Sequence, residues 1–121
     1  MSPTISIMFE NNISLNQWMN FCQDNDITFS PMSFGQNIFH RKGIEITLNK
    51  PGTLPLMADN EANYSFAKPP ELFNGLLINL SFSSDVSLMV DIFDSITGKF
   101  GGNYTTSPGM QTILEGLGYA V

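Results

Sequence analysis

Cysteine, histidine and positive charge are all scarce in this chain. Its 121 residues hold one cysteine, Cys22, one histidine, His40, and five lysines and arginines. A single cysteine excludes an intramolecular disulfide and fits a reducing compartment. Eleven acidic groups against five basic ones leave a net charge of −6, which repels phosphate backbones, so direct nucleic-acid binding is not expected. Charged residues are only 13% of the chain, about half the usual share, so the polar surface comes largely from Asn, Ser, Thr and Gln. The acids run singly or in loose pairs, such as Asp24 with Asp26 and Asp59 with Glu61, too scattered for a phosphate-mimicking tract. No apolar run approaches the roughly 20 residues of a membrane-spanning helix, and Met1-Ser2-Pro3-Thr4 lacks the basic start of a signal peptide. The expectation is a cytoplasmic protein that binds no membrane. Triplets of the form Asn-x-Ser/Thr start at Asn12, Asn63, Asn79 and Asn103 and would matter only in a secretory pathway.

What is present is regular patterning, at 42% hydrophobic content enough for one core and one domain, residues 1–121. Thr4 to Phe9 reads as a buried strand ended by Glu10-Asn11-Asn12. Ser14 and Gln17 form a capping box for a helix whose apolar stripe is Leu15, Trp18, Met19 and Cys22, broken off by Asp24-Asn25-Asp26. A β-meander spans Ile27 to Asn49. Its last run alternates Ile44, Ile46 and Leu48 with Glu45, Thr47 and Asn49, one buried and one wet face, after a turn at Arg41-Lys42-Gly43. Either Phe39 or His40 joins the core there, with its neighbour facing water.

Residues 50–75 lack sustained periodicity and carry Pro51, Gly52, Pro55, Pro69, Pro70 and Gly75, the pattern of a long loop. Apolar residues recur through it, so it must pack on the sheet or on a partner. Leu76 to Phe82 is almost continuously apolar, a central strand. A second helix starts among Ser83-Ser84-Asp85, shows Val86, Met89, Val90 and Phe93 with Ile92 and Ile96, and is stopped by Gly98. Asn103 to Thr106 reads as a short strand. Ser107-Pro108 opens a third helix, with Met110, Ile113, Leu114 and Leu117 on its stripe. The predicted fold is α+β, a mostly antiparallel sheet of about five strands with two or three amphipathic helices packed on it.

Few constellations carry chemistry. Cys22 and His40 are the only thiol–imidazole pair, but Cys22 falls on an apolar stripe, where cysteine is inert. His40 with Arg41, Lys42 and Glu45 makes a small acid–base or anion site at a hairpin tip, or else a solvated turn. Asp91 and Asp94, with Asp85 before them, form the densest carboxylate patch; a straight helix face offers too few convergent oxygens for a metal. No phosphate-cradling loop, Cys/His metal set or Gly-x-Ser-x-Gly elbow occurs, so no catalytic residue, metal or cofactor is assigned and the chain is read as a non-enzyme.

In build the chain resembles the small, acidic, single-domain cytosolic immunity proteins of bacterial toxin systems. That likeness of build implies a protein-binding, inhibitory module that covers a basic toxin or enzyme. The contact residues expected for a basic partner are Asp59, Glu61, Tyr64 and Phe66 in the long loop, Asp91 and Asp94 on the second helix, and His40 and Arg41 at the hairpin. The alternatives are a self-associating module that buries the loop in a homodimer, and a small enzyme with an unrecognised site.

Overall fold

The computed structural model describes residues 3–31, 37–49, 70–80 and 85–118. In chain order the elements are β1 (Thr4–Ser14), α1 (Leu15–Asp24), β2 (Thr28–Pro31), β3 (Asn37–Arg41), β4 (Ile44–Leu48), β5 (Leu72–Leu80), α2 (Val86–Phe100), β6 (Asn103–Thr106) and α3 (Pro108–Gly116). The six strands form one sheet in the order β2-β3-β4-β5-β1-β6, antiparallel at every step. The architecture is α+β as expected, with one more strand than the sequence suggested.

Alternation along the strands decides which face the helices cover. Ile5, Ile7 and Phe9 of β1, Ile44, Ile46 and Leu48 of β4, and Leu76, Ile78 and Leu80 of β5 are all buried on one side. They share a single cluster with Trp18, Phe21 and Cys22 of α1, Met89, Ile92 and Ile96 of α2, and Met110 and Leu114 of α3. Each such side chain contributes about 1.5–3 kcal/mol when fully buried, so this face holds the sheet to its helices. Phe39 lies opposite Ile46 and is buried with it, which puts the neighbouring His40 on the other face.

β5 lies between β4 and β1, a central position that matches its nearly unbroken apolar run. It begins at Leu72, so the end of the expected loop is strand instead. Likewise β1 does not stop at Glu10-Asn11-Asn12. Its register against β5 shifts between Met8 and Ile13, and the strand resumes at Ile13–Ser14 opposite Phe73 and Leu72. The three polar residues are exposed in this irregularity, which absorbs the extra length without breaking the ladder.

The helix signals hold at their starts and shift at their faces and ends. Ser14 and Gln17 form the capping box of α1. Phe21 replaces Met19 on the buried side, because its ring stacks on Trp18 at 5.4 Å while Met19 remains 39% exposed. Asp85 caps α2, accepting from the Ser87 amide at 2.8 Å. Gly98 does not end α2. The helix runs on to Phe100 and ends at Gly101, whose φ of 72° suits glycine. Phe100 is thereby brought to 5.5 Å from Phe21. Ser107 caps α3 with Pro108 in its first turn. Arg41 pairs with Ile44, so the hairpin turn is the two residues Lys42-Gly43, with φ of 48° and 85°, the positive values a tight primed turn requires.

Candidate functional site

The face of the sheet away from the helices carries most of the strand-borne polar residues. Register aligns Thr28, His40, Glu45, Asn79 and Thr4 as one row across β2, β3, β4, β5 and β1. Period-two alternation forces this placement, since their neighbours in sequence face the core. Within the row, His40 Nε2 lies 2.8 Å from Ser30 Oγ, on the adjacent strand. Glu45 is directly opposite His40 on the other side. Asn79 Oδ1 is buried and has no hydrogen-bond partner among the described residues. A hydroxyl bonded to an imidazole is the first element of a nucleophile–base pair.

The hairpin does not bring His40 and Arg41 to one face. His40 faces the polar side, whereas Arg41 lies on the core side of the strand and its Nη1 donates to the Asn25 carbonyl oxygen at 3.1 Å. Asn25 is the C-cap of α1, so the guanidinium meets the negative end of that helix. Arg41 thus has a structural task, locking the β3–β4 hairpin to α1.

Cys22 and His40 are not a pair. Cys22 is buried in the helix-covered core, and burial pushes its thiol up to about 12, away from the reactive thiolate. His40 is on the opposite side of the sheet. Among the described residues there is no group of three or more His, Cys, Asp or Glu side chains able to hold a metal ion. Among those same residues, no helix is long and apolar enough to cross a membrane.

Asp91 and Asp94 are exposed on the side of α2 opposite Met89, Ile92 and Ile96. Neither carboxylate has a partner among the described residues. Beside Asp94 in sequence, Phe93 is half-buried and meets Tyr104 of β6 edge to face, with ring centroids 5.0 Å apart. Tyr104 is 49% exposed on an edge strand. Asp85, the third acid of the expected patch, acts as the helix cap. Of the other expected contact residues, Asp59, Glu61, Tyr64 and Phe66 lie outside the described residues.

Two features escaped sequence reading. Ser30 gave no signal because its contact with His40 depends on the β2–β3 register. The Phe93–Tyr104 pair joins a helix to a strand that follows it, and nothing in spacing alone gives that crossing. Compared with protein-family models, with curated proteins and with solved structures, the chain matches none. Its function is therefore read from its own side chains.

Proposed function

We propose that the protein is a binding and inhibitory module that covers a basic surface of another protein, in the manner of an immunity protein. The observation that carries this reading is the pair of solvent-facing carboxylates of α2, Asp91 and Asp94, on the helix whose Phe93 braces the half-exposed ring of Tyr104. Solvent-facing carboxylates steer a cationic partner and fix its orientation. A tyrosine braced by a second ring offers a rigid anchor with little ordering cost, the kind of residue that dominates interface energetics. The net charge of −6 acts in the same direction over longer range.

Affinity capture from the source cells tests this, with wild type run beside Asp91→Lys/Asp94→Lys and Tyr104→Ala. A stoichiometric basic partner is expected with wild type and is lost with the charge reversal. Equal recovery on all three, or no partner on any, contradicts the proposal.

A second reading is favoured by the 2.8 Å contact between Ser30 Oγ and His40 Nε2. In it, Ser30 is an activated nucleophile for acyl transfer and His40 its base. Treatment with a fluorophosphonate probe separates the readings. Covalent labelling at Ser30, abolished in His40→Ala, supports the enzyme; an unlabelled Ser30 removes it.

A further inference from the structure

The chain holds one Asn-Gly dipeptide, Asn74-Gly75, and its position is fixed by packing. Gly75 is the register partner of Met8 in β1. A Cβ at this position would stand 2.7 Å from Met8 Sδ and 3.1 Å from the Ile7 carbonyl oxygen. The close approach of β1 and β5 thus calls for glycine after Asn74, and Asn-Gly is the dipeptide most prone to deamidate, because no side chain hinders attack by the glycine amide nitrogen.

Both reacting groups are engaged by one residue. Asn49 is completely buried where the chain leaves β4. Its Oδ1 accepts from the Gly75 amide at 2.8 Å and from the Asn74 amide at 3.1 Å. Its Nδ2 donates to Asn74 Oδ1 at 2.8 Å, and its backbone amide donates to the Gly75 carbonyl oxygen at 3.0 Å. The side chain of Asn49 therefore takes the place of a ladder carbonyl after the last regular pair, Leu48 with Leu76.

We propose that Asn74-Gly75 is a latent deamidation site held shut by Asn49, opened only when the base of β4 and β5 separates. Once released, the Gly75 amide nitrogen gives its proton to hydroxide and attacks Asn74 Cγ. A nitrogen–carbon bond forms, the Cγ–Nδ2 bond breaks, and the departing NH2 takes one proton from water to leave as ammonia, returning the hydroxide. Water then opens the succinimide at either carbonyl, giving aspartate or isoaspartate. The hydrogen bond to Asn49 Oδ1 blocks the first step, since an amide whose proton is held by an acceptor is not available to base. Its bond from Nδ2 fixes the Asn74 carboxamide away from a freely rotating state. Isoaspartate adds a carbon to the main chain of β5 beside the irregularity of β1, a position where the Asn49 clamp no longer fits. Opening at this point thus leaves a permanent mark and an added negative charge.

The full-length chain, incubated in mildly alkaline buffer and followed by mass spectrometry of the peptide containing Asn74, tests this. Folded wild type is expected to deamidate there far more slowly than the same chain in urea. Asn49→Ala, shown folded by circular dichroism, is expected to deamidate at least about tenfold faster than wild type, as loss of its side-chain hydrogen bonds favours local opening. An unchanged rate in that variant overturns the proposal. Where Asn49→Ala does not fold, wild type decides. Hydrogen exchange at the Gly75 amide and deamidation at Asn74 are expected to rise together at low urea, and a freely exchanging Gly75 amide beside an intact Asn74 overturns the proposal.

Discussion

Phe93 and Tyr104 meet edge to face at 5.0 Å, joining the outer flank of α2 to the edge strand β6. The contact braces a half-exposed tyrosine against α2, the helix that also carries the exposed carboxylates of Asp91 and Asp94. Phe93→Ala removes the support and is expected to cost about 1 kcal/mol of stability from the ring pair alone, with some further loss from burial. Tyr104→Phe keeps the ring contact and is expected to stay near wild type. Urea denaturation of both variants checks the difference, and partner affinity should fall more in Tyr104→Ala than in Tyr104→Phe.

Ser14 accepts from the Gln17 amide, and the Gln17 side chain returns a bond to the Ser14 amide. Ser14→Ala is expected to destabilise the fold by about 1 kcal/mol, the usual worth of an N-cap. The midpoint of urea unfolding should move down at constant slope. A neutral result would show that the start of α1 is held by its junction with β5, where the Leu15 amide donates to the Glu71 carbonyl oxygen at 2.8 Å.

The thiol of Cys22 is raised from 9.0 to about 12 by burial. Unfolded chains release this proton above about pH 9 while the folded chain keeps it, so the unfolded state binds fewer protons and stability falls as pH rises. The contribution is fully present below pH 9.0 and is lost progressively towards pH 12, by at most about 1.4 kcal/mol per pH unit. Cys22→Ala should flatten this alkaline decline. In wild type at neutral pH, Cys22 is expected to react with a thiol reagent only at the rate of unfolding.

Much of the fold was legible because its signals are local. The alternation of Ile44, Ile46 and Leu48 gave β4, the continuous apolar run from Leu76 gave a central strand, and Ser14, Asp85 and Ser107 marked the helix starts. Tertiary contacts decided the remainder. Phe21 displaced Met19 from the core because Trp18 and Phe100 offer it two rings, and Gly98 was tolerated inside α2 because it lies on the exposed face with no neighbour within 4 Å. The choice between Phe39 and His40 needed the pairing of Phe39 with Ile46. At the candidate surface, the exposure of Asp91 and Asp94 followed from helix periodicity. The capture of Arg41 by Asn25 and the bracing of Tyr104 by Phe93 arise between different elements, whose crossing no local pattern encodes.

The salt dependence of binding tests the central claim most directly. With the basic partner recovered by capture, titration calorimetry across a series of salt concentrations should show affinity falling as salt rises, as expected for exposed charges screened within about 10 Å at 0.1 M salt. Asp91→Lys/Asp94→Lys should bind at least about tenfold more weakly at low salt and lose most of that dependence. Wild-type affinity that ignores salt, or a double reversal that binds as wild type does, contradicts the account.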